Sequence, residues 1–371
     1  MERFQKLLED PHKYAKEWKE KTGGKVMGYF CPYIPEELVY AAGALPVRVL
    51  SEPDADGISY RYLYATFCPK SRGVLAQGLN GTYSYLDGIS HAQCCEGMSG
   101  AYSSWRLHIP HEHEWFVSMP SDLDNPWALT ALRSEMSALK KDLEKWTGKT
   151  ITEEALDHAI EVYNTSRSLM RQVYELRRAA NPKVTGAEAF EMVLSSQIMD
   201  KEEHNKLLKD AISKLSGREK RDDNGVRLMM LGSDCDFGDA TLTRLIESMG
   251  ATVVIDRLCN GSNYFWNNVI PQEDRLLAIT QRYWDKPRCA VKDETFRRRV
   301  VDVIGLAIDY NVQGVIYNVH RFCTPNHADR PPIIEALKKR FIHFHDLEHD
   351  GTFPMGDLQS RIETFIDVIR K

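Results

Sequence analysis

The sequence contains no CxxC pair, no GxxxxGK[ST] phosphate loop and no GxGxxG turn after a strand-like segment. Lack of CxxC counts against a structural zinc site built on short chelating loops. Without a phosphate loop, ATP is not expected to be hydrolysed on this polypeptide. Without the dinucleotide fingerprint, a nicotinamide cofactor has no support. No apolar run reaches about 18 residues, so no membrane span is expected. There is no basic tract or stripe, so nucleic acid is not an expected partner. The opening MERFQKLLEDPHKYAKEWKE alternates in charge and lacks the apolar core of a signal peptide, which places the expected location in the cytoplasm. What remains is ordinary: 371 residues, 43% hydrophobic, 27% charged, net charge -5. That composition excludes collagen, coiled coil and bulk disorder. The length exceeds what one small core organises, so two or more domains are expected.

Eight short apolar segments read as strands. Four lie in the first part: KVMGYF (25–30), LPVRVL (45–50), LDGIS (86–90) and EWFVSMP (114–120). Four lie in the last part: VRLMMLGS (226–233), ATVVIDRL (251–258), GVIYNVH (314–320) and FIHFHDLE (341–348). Amphipathic segments such as PEELVYAAGA, DATLTRLIESMG and RPPIIEALKKR separate them. Strand alternating with helix predicts mainly parallel, doubly wound sheets. Residues 126–147, 152–178, 186–198 and 202–217 carry apolar positions at helical spacing and predict a helical middle. SGREKRDDNG (216–225) reads as a polar linker, and QSRIETFIDVIRK as a terminal helix. The expected architecture is α/β: two Rossmann- or flavodoxin-like doubly wound domains, 1–125 and 222–371, around a helical insert at 126–221.

The eight cysteines are Cys31, Cys68, Cys94, Cys95, Cys235, Cys259, Cys289 and Cys323. In a reducing cytoplasm a disulfide framework is not expected. Buried, inert thiols are the ordinary reading of such a set. Their positions argue otherwise. Cys31, Cys95, Cys235, Cys259 and Cys323 each fall just after a predicted strand, where doubly wound sheets bind ligands. Cys68 and Cys289 sit in polar loops beside prolines. Each half supplies three thiols at similar separations: Cys31, Cys68 and Cys95, then Cys259, Cys289 and Cys323. Thiolates gathered from separate strand ends suit a soft metal centre, above all an iron–sulfur cluster at the interdomain cleft. Cys94 and Cys235 are left over and read as bystanders.

Other polar residues are weaker candidates. Glu36 and Glu37 open a helix beside Cys31, which the helix dipole favours; as an alternative, Glu37 is a candidate proton donor near substrate. Glu96 adjoins Cys95 and is a candidate to hydrogen-bond substrate or to cap a turn. His91 and His320 lie near predicted ligands and are candidate donors to cluster sulfur. His108, His111 and His113 form a histidine cluster that invites a second metal. Tyr29, Phe30, Tyr33, Phe67 and Phe322 flank the cysteines as candidate shields against water. Lys70, Arg72 and Arg106 are candidate cations for CoA phosphates.

Several of these segments resemble one family: the iron–sulfur subunits of benzoyl-CoA reductase and 2-hydroxyacyl-CoA dehydratases, the latter including the D-component of 2-hydroxyglutaryl-CoA dehydratase. The resemblance covers nearly the whole chain. It is carried by GYFCPYIPEELVYAAGALPVRV, FCPKSRG, QCCEGM, GKTITEEALDHAIEVYNTSRSLMRQVYELR, KEEHNKLLKD and GVIYNVHRFCTPNHADRP. It implies Cys68, Cys95 and Cys323 as ligands of a [4Fe-4S] cluster. It also implies a homologous partner subunit, an acyl-CoA substrate and a separate ATP-hydrolysing iron–sulfur activator that delivers one strongly reducing electron at a time. Cys31, Cys259 and Cys289 match additional thiols of the family's double-cubane proteins, where six cysteines hold an [8Fe-9S] cluster. Those proteins reduce small molecules or relay electrons without an acyl-CoA. The resemblance leaves both branches open.

Overall fold

The computed structural model describes residues 1–219, 225–293, 297–351 and 355–371. Eight strands among these form two parallel four-stranded sheets. The first sheet holds β1 (Val26–Tyr29), β2 (Leu45–Arg48), β3 (Gly88–Ala92) and β4 (His113–Val117), in the order β2-β1-β3-β4. The second holds β5 (Val226–Gly232), β6 (Ala251–Asp256), β7 (Gly314–His320) and β8 (His343–His349), in the order β6-β5-β7-β8. All eight coincide with the expected strand segments. The two orders match, and each reverses direction next to its first strand, between β1 and β3 and between β5 and β7.

Both sheets are covered on both faces, which parallel strands require. Along β5, Met229 and Leu231 join one apolar cluster, while Val226, Leu228 and Met230 join the other. Along β1, Met27 and Tyr29 face one cluster and Val26 the opposite one. That is the two-residue period of a pleated strand. β5 ends at Gly232, whose φ is +104°; a Cβ there would meet the Asn318 carbonyl oxygen at 2.0 Å. Only glycine lets β5 leave the sheet so close to β7. The exit carries Ser233 and Asp234 toward the site below.

Among the described residues, four helices follow β4 and precede β5: Ala128–Thr147, Glu153–Arg178, Gly186–Ser195 and Lys201–Ser216. Thr152, Thr185 and Asp200 cap three of them through side-chain oxygens, and Thr185 with Glu188 forms a capping box. The expected linker 216–225 falls largely on residues 220–224, outside the described residues. Packing crosses between the parts of the chain. Val269, Leu276, Ile279 and Tyr283 pack with Leu38, Leu139 and Ile160, while Phe4 joins the core of the second sheet. No helix among the described residues is long and apolar enough to cross a membrane.

Candidate metal centre

Seven of the eight thiols line one cavity, with about 100 Å³ of free space, at the carboxyl ends of strands from both sheets. They are Cys31, Cys68, Cys94, Cys95, Cys259, Cys289 and Cys323. Cys31 follows β1, Cys94 and Cys95 follow β3, Cys259 follows β6 and Cys323 follows β7. Three of them share a local geometry. Cys68, Cys95 and Cys323 are the N-cap residues of helices Pro69–Leu79, Glu96–His108 and Thr324–Lys338. Three helix N-termini thus point at one chamber, and each favours negative charge there. Gly97 eases the approach of the first two, because a Cβ on it would sit tightly, 3.3 Å from Cys68 Sγ.

The two sets of thiols that the family resemblance distinguishes, Cys68, Cys95 and Cys323 and then Cys31, Cys259 and Cys289, both line this one chamber. Cys68 is most affected, among the thiols, by Cys95 and Cys323. Cys259 is raised first by burial and Asp234, and among the thiols by Cys289 and Cys31. Each triad draws two members from one part of the chain and one from the other. Cys94 lines the chamber with them, its Sγ 3.8 Å from His91 Nε2 and 4.0 Å from the Cys95 carbonyl oxygen. Cys94, read from sequence as a bystander, shares the wall of the chamber with the candidate ligands. The neighbouring Cys94 thiol pulls Cys31 down to about 6 against the effect of burial, and also lowers Cys95. Burial pushes Cys68 up to about 11, and raises Cys259, Cys289 and Cys323 as well. Without a metal most of these sulfurs hold their protons, so loading one would release them.

Five buried cations line the same cavity: Arg48, Lys70, Arg257, Lys286 and Arg299. Four of them are anchored. Lys70 pairs with Asp234 and, at 2.8 Å, with Asp236. Arg257 pairs with Asp302 at 3.0 Å, and Arg299 with Asp329 at 2.7 Å. Lys286 donates to the Pro32 carbonyl at 2.8 Å. Arg48 differs: its Nε and Nη1 find no acceptor among the described residues, and its guanidinium lies over the Tyr29 ring at 5.6 Å. The chemistry of this set fits a thiolate-bound soft-metal cluster. Sulfur donors select such metals, and buried positive charge offsets the negative charge of several thiolates.

The remaining candidates separate. Phe30 and Tyr33 line the cavity, and Tyr29 is buried behind it. Phe322 is 46% exposed, with φ at +66°, so it turns outward and shields nothing. Glu37 is fully buried away from the cavity; it binds Arg167 and accepts from Tyr283 Oη at 2.8 Å. Glu96 is exposed at the start of its helix. His91 lies 3.0 Å from Ser99 Oγ and 3.8 Å from Cys94 Sγ. His108, His111 and His113 do not converge: they meet Tyr62, Glu114 and Asp142 respectively. Nor do Lys70, Arg72 and Arg106, since Lys70 is buried, Arg72 binds Tyr60 and Arg106 binds Glu114. Sequence reasoning missed Arg48, Arg257, Lys286 and Arg299, which only the tertiary fold gathers.

Beside the thiol cavity lies a larger one of about 660 Å³, which shares Lys70 and His320 with it and includes Cys235 in its wall.

Paired parallel sheets whose strand ends enclose a thiol-lined, cation-walled chamber define an α/β protein suited to a soft metal centre. Comparison with known proteins gives the family. Residues 31–369 match the family described as 2-hydroxyglutaryl-CoA dehydratase, D-component, and the chain belongs to it. It is 25% identical to one of the benzoyl-CoA reductase subunits of Thauera aromatica, over 96% of this chain and 94% of that protein. It is also 25% identical to the (R)-phenyllactyl-CoA dehydratase beta subunit of Clostridium sporogenes, covering 91% and 88%. The (R)-2-hydroxyglutaryl-CoA dehydratase beta subunit of Acidaminococcus fermentans is 23% identical, covering 99% and 98%. The chain is thus an enzyme component of the oxidoreductase or lyase kind.

Proposed function

We propose that this chain is the iron–sulfur-binding subunit of a low-potential acyl-CoA reductase or dehydratase, working with a homologous partner subunit in the cytoplasm. Electrons would come from a separate ATP-hydrolysing iron–sulfur activator. The observation that carries this reading is the convergence of Cys68, Cys95 and Cys323, each at a helix N-terminus, on one chamber. These three would hold a [4Fe-4S] cluster at a cleft between two Rossmann-like domains, 1–125 and 222–371, with 126–221 as a helical insert. When bound, the cluster supplies one-electron reduction at low potential. The chain's own residues do the rest. Phe30, Tyr33 and Met98 keep water from the chamber. Arg48, Lys70, Arg257, Lys286 and Arg299 hold positive charge against it.

A second reading has its own support. Cys31, Cys259 and Cys289 line the same chamber as another triad, with Cys94 also in its wall. Six thiols so arranged favour a double-cubane [8Fe-9S] cluster. The candidate CoA-binding cations do not converge, which favours that branch too, with reduction of small molecules or electron relay and no acyl-CoA.

Iron and acid-labile sulfide per chain, measured on anaerobically purified protein, test both. About four irons are expected for the single cluster and about eight for the double one. Absence of iron under strict anaerobiosis would overturn either reading.

Arg48 gives a further test. Its guanidinium lines the chamber with Nε and Nη1 free of acceptors, and its charge stabilises the more negative, reduced state. Arg48→Gln is expected to lower the midpoint potential by tens of millivolts, with iron content unchanged, in a redox titration followed by EPR. An unaltered potential would mean that Arg48 does not act on the cluster.

A further inference from the structure

The ends of β5, β7 and β8 bring a different set of ligand atoms together. His320 and His349 are the last residues of β7 and β8 and are register partners in that ladder. Partners in a ladder project to the same face. Their rings lie 4.6 Å apart between centroids. Cys235, three residues beyond β5, places Sγ 3.7 Å from His320 Nε2 and 3.5 Å from His349 Nε2. The three donor atoms all lie within 4.8 Å of one another.

The two sulfur–nitrogen separations match a metal-centred arrangement. Zinc–sulfur bonds of about 2.3 Å and zinc–nitrogen bonds of about 2.0–2.1 Å, at a tetrahedral angle, put sulfur and nitrogen about 3.6 Å apart. One sulfur and two imidazole nitrogens suit a borderline divalent ion such as Zn²⁺. We propose that Cys235, His320 and His349 form a mononuclear transition-metal site next to the seven-thiol chamber, with His320 in the wall between them. Cys235 and His320 also line the 660 Å³ cavity. A fourth coordination position therefore faces space where water or an oxygen-donor ligand fits, as in three-ligand zinc sites that keep one position open. Asn318 Nδ2 donates to Cys235 Sγ at 3.0 Å, a supporting contact suited to a thiolate ligand.

The proton balance is definite. In the metal-free protein, Gly351 N–H donates to His349 Nδ1 at 3.2 Å, which leaves the ring proton on Nε2. His320 Nε2 lies 3.1 Å from the Asp234 carbonyl and likewise carries its proton. On loading, each ring proton moves from Nε2 to Nδ1 and the Cys235 thiol loses its own. One proton is released per ion. The Gly351 amide must turn away from His349, a movement open to a glycine at φ +94°.

The test uses the full chain, prepared anaerobically, incubated with Zn²⁺ or Co²⁺ and desalted. One zinc per chain is expected beyond the iron. With Co²⁺, a sulfur-to-cobalt charge-transfer band and tetrahedral visible bands are expected. Cys235→Ser and His349→Ala should each weaken binding tenfold or more and remove the charge-transfer band, with iron and sulfide per chain unchanged. Zinc that binds equally well to both variants occupies the thiol chamber instead, and overturns the site. So does failure of the wild-type chain to bind either ion. Iron is counted separately, so loss of the iron–sulfur reading and loss of this site are distinguishable.

Discussion

Replacing Cys95 and Cys94 together with alanine should strip the chain of nearly all its iron, whereas Cys259→Ala should leave about four irons if wild type holds about eight. The asymmetry follows from the two triads. Cys68, Cys95 and Cys323 cap three helices, so their thiolates gain from three helix N-termini at once. Cys31, Cys259 and Cys289 lie on loops beyond β1, β6 and helix Arg275–Trp284, without such caps. Losing a thiolate from the capped triad removes the cluster best held. Losing one from the other triad removes only the second cubane. Cys94 complicates the single variant. It lines the chamber directly beside Cys95, so it is placed to replace Cys95 as a ligand. Cys95→Ala alone is therefore expected to retain more iron than the double variant. Iron, sulfide and EPR spin counts on the four proteins decide the matter. Equal loss in Cys259→Ala and Cys94→Ala/Cys95→Ala would mean one indivisible cluster. No loss in either would return these thiols to the core.

Much of this arrangement is legible in the sequence, for physical reasons that also mark where legibility stops. Parallel strands buried on both faces read as unbroken apolar runs, so VRLMMLG and ATVVID stand out. A ligand-binding rim at the strand ends then follows from topology, and it points to five of the eight cysteines. Helices Pro69–Leu79 and Glu96–His108 are hidden because they lack a clean apolar stripe; PKSRGVLAQGL carries two glycines and is buried nearly all round. The signal that was available is Pro69 directly after Cys68, since proline favours the first helical position. It turns the expected polar loop into a helix start. Grouping the thiols by half of the chain leaves out that one chamber is shared between the two sheets. Lys70 misleads in a similar way. Its neighbours are polar, but its ammonium is buried against Asp234 and Asp236, which hold its proton more tightly than burial alone would allow. Charge partners so distant in sequence leave no local trace.

Glu37 is the second case with a large expected effect, and here the alternatives separate cleanly. Its carboxylate sits in a buried network with Arg167 and Tyr283 that ties helix Glu36–Ala41 to helices Glu153–Arg178 and Arg275–Trp284. Next to it, Glu36 accepts from Tyr264 Oη at 2.9 Å and lies 3.7 Å from Lys201 Nζ. Removing one partner of a buried ion pair leaves an uncompensated charge and costs about 3–5 kcal/mol. Arg167→Met is expected to destabilise the protein by that order, read as a lower denaturant midpoint. Glu37→Gln/Arg167→Met should recover much of the loss, because no orphan charge remains. The pH dependence has a definite sign. Burial pushes the Glu37 carboxyl up, but Arg167 and Arg282 more than offset it and hold it below the ordinary carboxylate range. A depressed carboxyl contributes stability above its unfolded pKa, and that stability is lost as pH falls through the folded value. Stability of the wild type should therefore fall more steeply with acid than that of the double variant. A catalytic Glu37 predicts the opposite pattern: Glu37→Gln with wild-type stability and no turnover. Because the network clamps the segment that leads from Cys31 into its helix, the structural role also predicts weaker iron retention in Arg167→Met, restored in the double variant.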